Sequence, residues 1–174
     1  MKKIKELTPT QSLKKVKSLL KEKRKMTKKD LIPGNTIFTF YDAKDKKQTY
    51  DRTPLALILK RGSVHTLVLN FHWIPLNMRI NLIKHIIRLN EKNIKKNLPL
   101  EFSYKKLKPM LKTLGYAPCI RMYINSRIST NGVVIDPSRL VEIAKLKTET
   151  FTNGKYSAEQ LYAMARKRAR KAKR

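Results

Sequence analysis

Few side chains in this sequence could perform acid–base chemistry, and the most suggestive lie within residues 50–72. Asn70 and His72 fall on the same face of a predicted β-strand, and Asp51 lies in the segment that precedes the hairpin. A histidine beside a carboxylate can act as a general base, so these three residues could form a polar active site. The alternative is a structural cluster of Tyr50, Asp51, Asn70 and His72. We favour it because buried polar groups usually hydrogen-bond locally.

The carboxylates are too dispersed to predict a catalytic metal site. A metal-dependent nuclease needs two or three carboxylates on one cation, and Asp42, Asp45 and Asp51 form the only close group, in a loop setting typical of turns. The single Cys119 excludes an intrachain disulfide and a zinc site built on cysteine pairs. Motifs for phosphate-binding loops, zinc proteases and serine hydrolases are absent. We therefore expect no enzyme, no metal, no cofactor and no small-molecule substrate.

Charge is the strongest signal in the sequence. The 174 residues include 41 Lys and Arg against 12 Asp and Glu, for a net charge of +29. Such an excess destabilises a compact protein unless a polyanion compensates it, which indicates nucleic acid as the partner. The charge is concentrated at both ends. This distribution predicts a core domain, residues 31–154, between a basic N-terminal helical arm, residues 1–30, and a basic C-terminal helical tail, residues 155–174.

The N-terminal arm has a helix start signal, with Thr8 as cap, Pro9 at the first helical position and Gln11 completing a capping box. A helix of about 19 residues is roughly 28 Å long, and duplex DNA carries about 16 phosphate charges over that length. Only Glu22 interrupts the cations around its apolar stripe, so the usual lacing of ion pairs is missing. We expect phosphate contacts from Lys14, Lys17, Lys21, Arg24 and Lys28.

The C-terminal tail begins with a second capping box, Ser157 and Gln160, and should be helical from residue 158. Leu161 and Tyr162 could contact the core domain. The following ARKRARKAKR contains nothing apolar larger than alanine and should lie along phosphates without reading sequence. The candidate contacts are Arg166, Arg168, Arg170 and Lys171, with Arg61 and Arg79 as candidates in the core domain.

The core domain is predicted to be α+β. β-favouring residues indicate strands near 35–41 and 48–51, and a hairpin with strands at 55–60 and 64–71 around Arg61-Gly62-Ser63. In its second strand, alternation predicts one buried face: His65, Leu67, Leu69, Phe71 and Trp73. We expect the aromatic residues Phe38, Phe40, Phe71 and Trp73 to lie in the core.

Helical spacing follows the hairpin. It predicts a helix over 76–89 after Pro75, a second over 103–114 with Pro109 inside it, and a third over 139–146. Residues 133–135 should return to the sheet as a strand. The sequence thus predicts a small antiparallel sheet packed with several helices and flanked by the two basic arms. An SH3-like barrel is one form that such a sheet can take.

The sequence also resembles a known family at particular places. The runs NTIFTFYDAKDKK, YDRTPLALIL, LVLNFHWIPLNMR, APCIRMYINSRI and VEIAKLKTETF resemble the DNA end protector of T-even-like tailed bacteriophages, over residues 33–168. The most specific points are Tyr50-Asp51, Pro54-Leu55, Asn70-Phe71-His72, Pro75, Arg79 and the run from Pro118 to Tyr123. The resemblance implies a virion protein that is synthesised in the host cytoplasm, is packaged with the genome, and sits at the DNA end, where it shields that end from exonuclease.

The predicted function is therefore non-enzymatic, sequence-independent binding of packaged DNA through its phosphate backbone, with phage head, portal or neck proteins as further partners. No run of the sequence approaches the roughly 18 apolar residues of a membrane span, so no membrane partner is expected. Two alternatives stay open. One is an RNA-binding structural protein of ribosomal type, and the other is a capsid or connector interaction module.

Overall fold

Five antiparallel strands form an open sheet in the computed structural model, which describes residues 14, 15, 18, 25–45, 49–96, 98, 100, 101, 104–146, 148–152 and 156–171. The strands are β1 (Thr36–Phe38), β2 (Leu55–Arg61), β3 (His65–Asn70), β4 (Ile120–Ile124) and β5 (Val133–Ile135). Their order is β4-β3-β2-β1-β5. The α+β class is confirmed. The sheet does not close into an SH3-like barrel, because β4 and β5 are its two edges.

The central hairpin, β2 and β3, matches its prediction closely. Leu57 pairs with Leu69, and the Gly62 amide donates to the His65 carbonyl at 2.8 Å to close the turn. The register shifts between Ile58 and Lys60, which marks an irregularity of the β-bulge type.

Five α-helices lie within the described residues from 25 onward, namely α1 (Leu76–Leu89), α2 (Glu91–Lys95), α3 (Tyr104–Thr113), α4 (Leu140–Ala144) and α5 (Ala158–Lys171). Helix α1 has the predicted bounds. Helix α3 contains Pro109 and is followed by Gly115, whose φ of +80° suits a residue without a Cβ. The start predicted for α3 at residue 103 lies outside the described residues.

Both faces of the sheet are covered, so the prediction of a single buried face on β3 is wrong. On one side Leu55, Leu57 and Leu69 pack with helices α1, α3, α4 and α5. On the other side a second core contains Met26, Leu31, Tyr41, Val68, Tyr123 and others. Thr66, Val68 and Asn70 are fully buried, whereas His65 is exposed. The reason is tertiary: chain segments far from β3 in sequence lie on its second face.

Two predicted strands are shorter than expected. Strand β1 ends at Phe38, after which only Tyr41 forms a single bridge, with Ile128. Phe40, expected in the core, is half exposed. Asp51 makes one bridge to Phe151 rather than a strand ladder, because its carboxylate closes the local turn by accepting from the Thr53 amide at 3.1 Å.

The N-terminal segment joins the fold before residue 30. Met26 is buried in the second core, and its amide donates to the Gly132 carbonyl at 2.9 Å. Lys25 forms a bridge with Val133 on the edge strand β5. Of the helix predicted further upstream, residues 14, 15 and 18 are described and are helical.

Candidate nucleic-acid interface

Helix α5 carries the densest group of exposed cations among the described residues. Its first turn has the predicted capping box, since the Ser157 amide donates to Gln160 Oε1 at 2.8 Å and the Gln160 amide donates to Ser157 Oγ at 3.3 Å. Leu161 and Tyr162 are buried in the main core. The helix is therefore anchored at its N-terminal half, and its C-terminal half projects the cations.

Tyr162 fixes how α5 is oriented on the fold. Its hydroxyl donates to the Gly115 carbonyl at 3.1 Å, and its ring lies 6.5 Å from that of Tyr116. The guanidinium carbon of Arg166 lies 5.7 Å from the centre of the Tyr162 ring, a cation–π contact at the edge of the core. The contacts of Tyr162 thus fix the orientation of the helix from which the cations beyond residue 165 extend.

The cations of α5 fall on two faces. Positions three and four apart share a face of a helix, so Arg166, Lys167, Arg170 and Lys171 lie together on one side, which we call the outer face. Arg168 lies on the opposite side, the inner face, with Leu161 and Met164. All five cations are exposed, and no carboxylate of a described residue pairs with them. The outer face is a continuous positive surface.

The sequence named four of these five cations and missed Lys167. The charge run around it was the available signal. Arg121 was also missed, because it lies alone among apolar residues in a segment that suited a strand or a helix equally. The structure places Arg121 on β4, with its guanidinium carbon 3.5 Å from the centre of the Trp73 ring.

The N-terminal candidates are only partly described, since Lys17, Lys21 and Arg24 lie outside the described residues. Lys14 is exposed. The Lys28 ammonium instead donates to the Asn125 carbonyl at 2.6 Å and to the Ile128 carbonyl, and partial burial lowers its pKa. Those two carbonyls hold the Lys28 side chain against the protein, and its contact with phosphate stays a prediction.

Arg61 is exposed and lies at the end of β2, where it pairs with Thr66 across the hairpin. It does not line the outer face of α5. Its contact with phosphate stays a prediction.

Arg79, the other candidate in the core domain, is 1% exposed. Its Nη2 donates to Glu149 Oε1 at 2.6 Å, and its Nε and Nη1 donate to the carbonyls of Ile74 and Ala144, each at 3.2 Å. A phosphate cannot reach this guanidinium. The placement corrects the expectation of a phosphate contact at Arg79, whose role is to join α1, α4 and the segment around Glu149.

The charge of Arg79 is compensated within the protein. Burial by itself raises the pKa of Glu149, but the charges of His72 and Arg79 and the hydrogen bond from Arg79 outweigh it, so the pKa of Glu149 lies below its ordinary value. Glu149 is therefore ionised at neutral pH, opposite the guanidinium.

The polar residues that opened the sequence analysis form a buried hydrogen-bonded network. Asp51 Oδ2 lies 2.7 Å from His72 Nδ1 and accepts from Asn70 Nδ2 at 3.4 Å. Asn70 Oδ1 accepts from the His72 amide at 2.9 Å, and Asn70 Nδ2 also donates to the Tyr123 hydroxyl at 2.9 Å. We call Asp51, Asn70, His72, Tyr123, Arg79 and Glu149 the polar corner.

Tyr50, expected in this cluster, lies beside it instead. Its amide donates to Thr152 Oγ1 at 3.0 Å, its hydroxyl donates to Asp42, and its ring meets that of Tyr41 edge-on at 6.1 Å. Tyr41 in turn stacks on Tyr123, with ring centres 4.1 Å apart. Tyr50 therefore supports the polar corner through two aromatic neighbours.

Part of the polar corner has the order of a hydrolytic triad. Thr148 Oγ1 lies 3.2 Å from His72 Nε2, and His72 Nδ1 faces the Asp51 carboxylate, which can only accept a hydrogen bond. A triad must meet its substrate, yet Asp51 and His72 are each 1% exposed. The arrangement therefore holds the end of β3 to the 148–152 segment and presents no accessible base.

No other cluster of reactive groups stands out in the described part of the chain. No group of three or more His, Cys, Asp or Glu there is placed to hold a metal ion. Cys119 is buried, and this burial raises the pKa of its thiol to about 12, so the thiolate that would be reactive is not populated at neutral pH. Among the described helices, none has the length and apolarity to span a membrane.

Comparison with known proteins identifies a family whose model matches most of the chain. The family model described as the phage T4 terminal DNA protecting protein matches residues 4–165. That range includes the whole sheet, the polar corner and the first half of α5. No curated protein and no solved structure matches the chain.

Proposed function

Because the chain belongs to the phage T4 terminal DNA protecting protein family, we propose that it protects a DNA end by holding the phosphate backbone on the outer face of α5. The observation that carries this proposal is the contrast between the two ends of α5. Leu161 and Tyr162 fix one end in the core, while Arg166, Lys167, Arg170 and Lys171 are exposed without carboxylate partners among the described residues.

The cationic part of α5 matches a short stretch of duplex. From Arg166 to Lys171 it spans about 9 Å, over which duplex DNA carries about 5 phosphate charges. Arg and Lys side chains contact phosphates without distinguishing bases, so binding is independent of sequence. Lys14 and the remaining cations of the N-terminal arm, Lys17, Lys21 and Arg24, add contacts of the same kind in this proposal, and Arg61 adds one more.

In this proposal the protein protects the DNA end by occupying it. A protein seated on the terminal phosphates of a duplex denies an exonuclease the end on which it must start. In this proposal the protein is a component of the virion, and its α+β core docks on a head, portal or neck protein while the cations hold the packaged DNA. The core is suited to such a scaffold role, because the polar corner and two apolar cores fix it internally.

The RNA-binding alternative is less well supported. Many sequence-specific RNA-binding proteins stack bases on aromatic side chains exposed on a sheet face. Here both faces of the sheet are covered, and Phe38, Phe71 and Trp73 are buried. In the described part of the sheet, the structure offers no such aromatic platform.

A salt titration and a digestion assay test the proposal together. If about eight phosphates are neutralised, log affinity for linear duplex DNA should fall with log salt with a slope near −7, whatever the DNA sequence. The full-length protein should also slow digestion of that duplex by an exonuclease that starts at ends. A slope shallower than about −2 would contradict the electrostatic part of the proposal. Unchanged digestion at saturating protein would contradict end protection.

A further inference from the structure

A cleft of about 620 Å³ lies between the inner face of α5 and the turns that carry Trp73 and Pro118. Leu161, Met164 and Ala165 of α5 form its apolar wall. Arg121 and Arg168 are the only charged side chains among the described residues that line it, so the cleft contains two positive charges and no carboxylate. This cleft is distinct from the outer face of α5.

Arg121 is held in the cleft with an unused donor. Its guanidinium carbon lies 3.5 Å from the centre of the Trp73 ring, and the Trp73 ring is itself fixed edge-on against Phe151 at 5.7 Å. Its Nε is buried and has no hydrogen-bond partner. A cation–π contact orients a guanidinium but does not satisfy its N–H groups. Because the Nε is itself buried, the terminal N–H groups are the ones that remain for an acceptor in the cleft.

The electrostatics favour an anion as that acceptor. Burial lowers the pKa of Arg121; Cys119 and Tyr123 raise it, and the nearby positive charge of Arg168 lowers it. No carboxylate of a described residue lines the cleft to compensate the two guanidinium groups. An anion with several oxygens could accept from both guanidinium groups at once, as phosphates do with paired arginines.

We propose that this cleft binds the terminal phosphomonoester of a DNA strand, and this rests on the proposed function in that the outer face of α5 holds the adjoining duplex. Two observations favour a strand end over an internal phosphate. The cleft has the volume of a pocket for one small ligand and cannot admit a duplex. A phosphomonoester carries up to two negative charges near neutral pH, whereas an internal phosphodiester carries one, and two arginines match the former.

Helix α5 then has a different task on each face. Its outer face follows the backbone of the duplex, and its inner face, with Arg121 on β4, holds the terminal phosphate. The same helix would distinguish an end from the interior of DNA. Such discrimination gives a physical basis for action at ends by a protein whose other contacts are independent of sequence.

The test compares hairpin duplexes with one open end, which carries a 5′-phosphate, a 3′-phosphate or no phosphate. Fluorescence anisotropy at fixed salt measures the affinity of the full-length protein for each. The affinity for one of the phosphorylated ends should exceed that for the unphosphorylated end by about tenfold or more, since hydrogen bonds to charged groups are strong. The two phosphorylated hairpins show which strand end is bound.

Variants show which residues cause the preference for a phosphorylated end. Arg121→Gln and Arg168→Gln should bring the affinity ratio close to one, and exposed Arg168 can be replaced without disturbing the core. Arg170→Gln on the outer face is the matched control, and it should weaken binding to all three hairpins while leaving the ratio unchanged. A thermal melt of each variant confirms that it is folded.

Two outcomes would overturn this inference. The first is equal affinity of the wild-type protein for all three hairpins, and the second is a preference that survives in Arg168→Gln and Arg121→Gln. Either result, with tight and salt-dependent binding retained, leaves the proposed function standing. Failure of the proposed function would differ, because binding to every hairpin would then be weak or insensitive to salt.

Discussion

The polar corner and the outer face of α5 use the same kinds of charged side chain in opposite ways. In the polar corner, Arg79 is 1% exposed, and its guanidinium donates to Glu149 and to backbone carbonyls. On α5, Arg166, Arg170 and their lysine neighbours are exposed, with no carboxylate among the described residues to compensate them.

The difference teaches how to tell a structural cation from a binding cation in a very basic protein. A buried charge is tolerated only when partners surround it, so the compensation of Arg79 marks it as part of the fold. Cations that repel one another on a surface lower the stability of the free protein unless a polyanion joins them. The residue type is the same, and the environment decides the role.

Removing Arg79 should have the largest effect on stability. Arg79→Leu leaves Glu149 and the carbonyls of Ile74, Ala144 and His72 without this donor, and breaking a buried pair costs about 3–5 kcal/mol. For a protein of this size the melting temperature should fall by roughly 6–20 °C. Thermal denaturation followed by circular dichroism measures this. Arg88→Leu, at an exposed position of the same helix, should change stability by less than about 0.5 kcal/mol. An Arg79→Leu protein as stable as wild type would show that the corner is not structural.

Neutralising the outer face of α5 should weaken DNA binding and leave stability nearly unchanged. Replacing Arg166, Lys167, Arg170 and Lys171 by Gln should make the slope of log affinity against log salt shallower by about 3 to 4, because each lost phosphate contact removes about 0.9. The free energy of unfolding should change little. The control replaces Lys84, Arg88, Lys92 and Lys108, which are exposed on other helices, and removes the same net charge. An equal loss of slope in that control would mean that net charge, and not this face, governs binding.

Removing one hydrogen bond from the polar corner should have a smaller effect. Tyr123→Phe deprives Asn70 Nδ2 of its nearer acceptor, and a buried donor left unsatisfied costs about 1–3 kcal/mol. Urea denaturation measures the loss. Tyr156→Phe, at an exposed tyrosine, is the matched control and should be neutral. If both variants unfold at the same urea concentration as wild type, the bond to Asn70 contributes nothing measurable.

Of the changes considered, lowering the pH should reduce the free energy of unfolding the least. The pKa of Glu149 is lower in the folded protein than its ordinary value, so Glu149 stabilises the fold above that ordinary value, and this contribution is lost as pH falls through the folded pKa. The free energy of unfolding should therefore decrease as pH falls below about 4.3. Glu149→Gln should be less stable at pH 7 and should show a flatter decrease in this range. An identical pH profile in the variant would assign the acid sensitivity to other carboxylates.

Much of the local structure was determined by the sequence. The turn residues around Gly62 and alternating β-favouring residues specify the hairpin, and Pro75 with helical spacing specifies α1, because both patterns act over a few residues. The capping box at Ser157 likewise predicted the start of α5. The tail cations needed no structure to be found, since seven of the last ten residues are Lys or Arg.

The local sequence pattern did not predict correctly which residues are buried. The second core arises because Met26, Leu31 and Tyr41 return to the far face of β3 from distant parts of the chain, and period-two alternation cannot predict which face another segment will cover. For the same reason Phe40 was expected inside and is half exposed.

The sequence by itself thus determined that this protein is very basic and is built on a hairpin and a helix, and it predicted a polyanion as partner. Only the tertiary structure decided which of the described cations are exposed and which are buried among partners. Arg79 is the same residue type as the arginines of the tail, but it is buried, and Glu149 and backbone carbonyls accept its hydrogen bonds. Arg121 looked unremarkable in sequence, and packing placed it opposite Arg168 in a cleft. The reason is physical: the type of a side chain sets its charge, whereas its neighbours in space set whether that charge is already compensated.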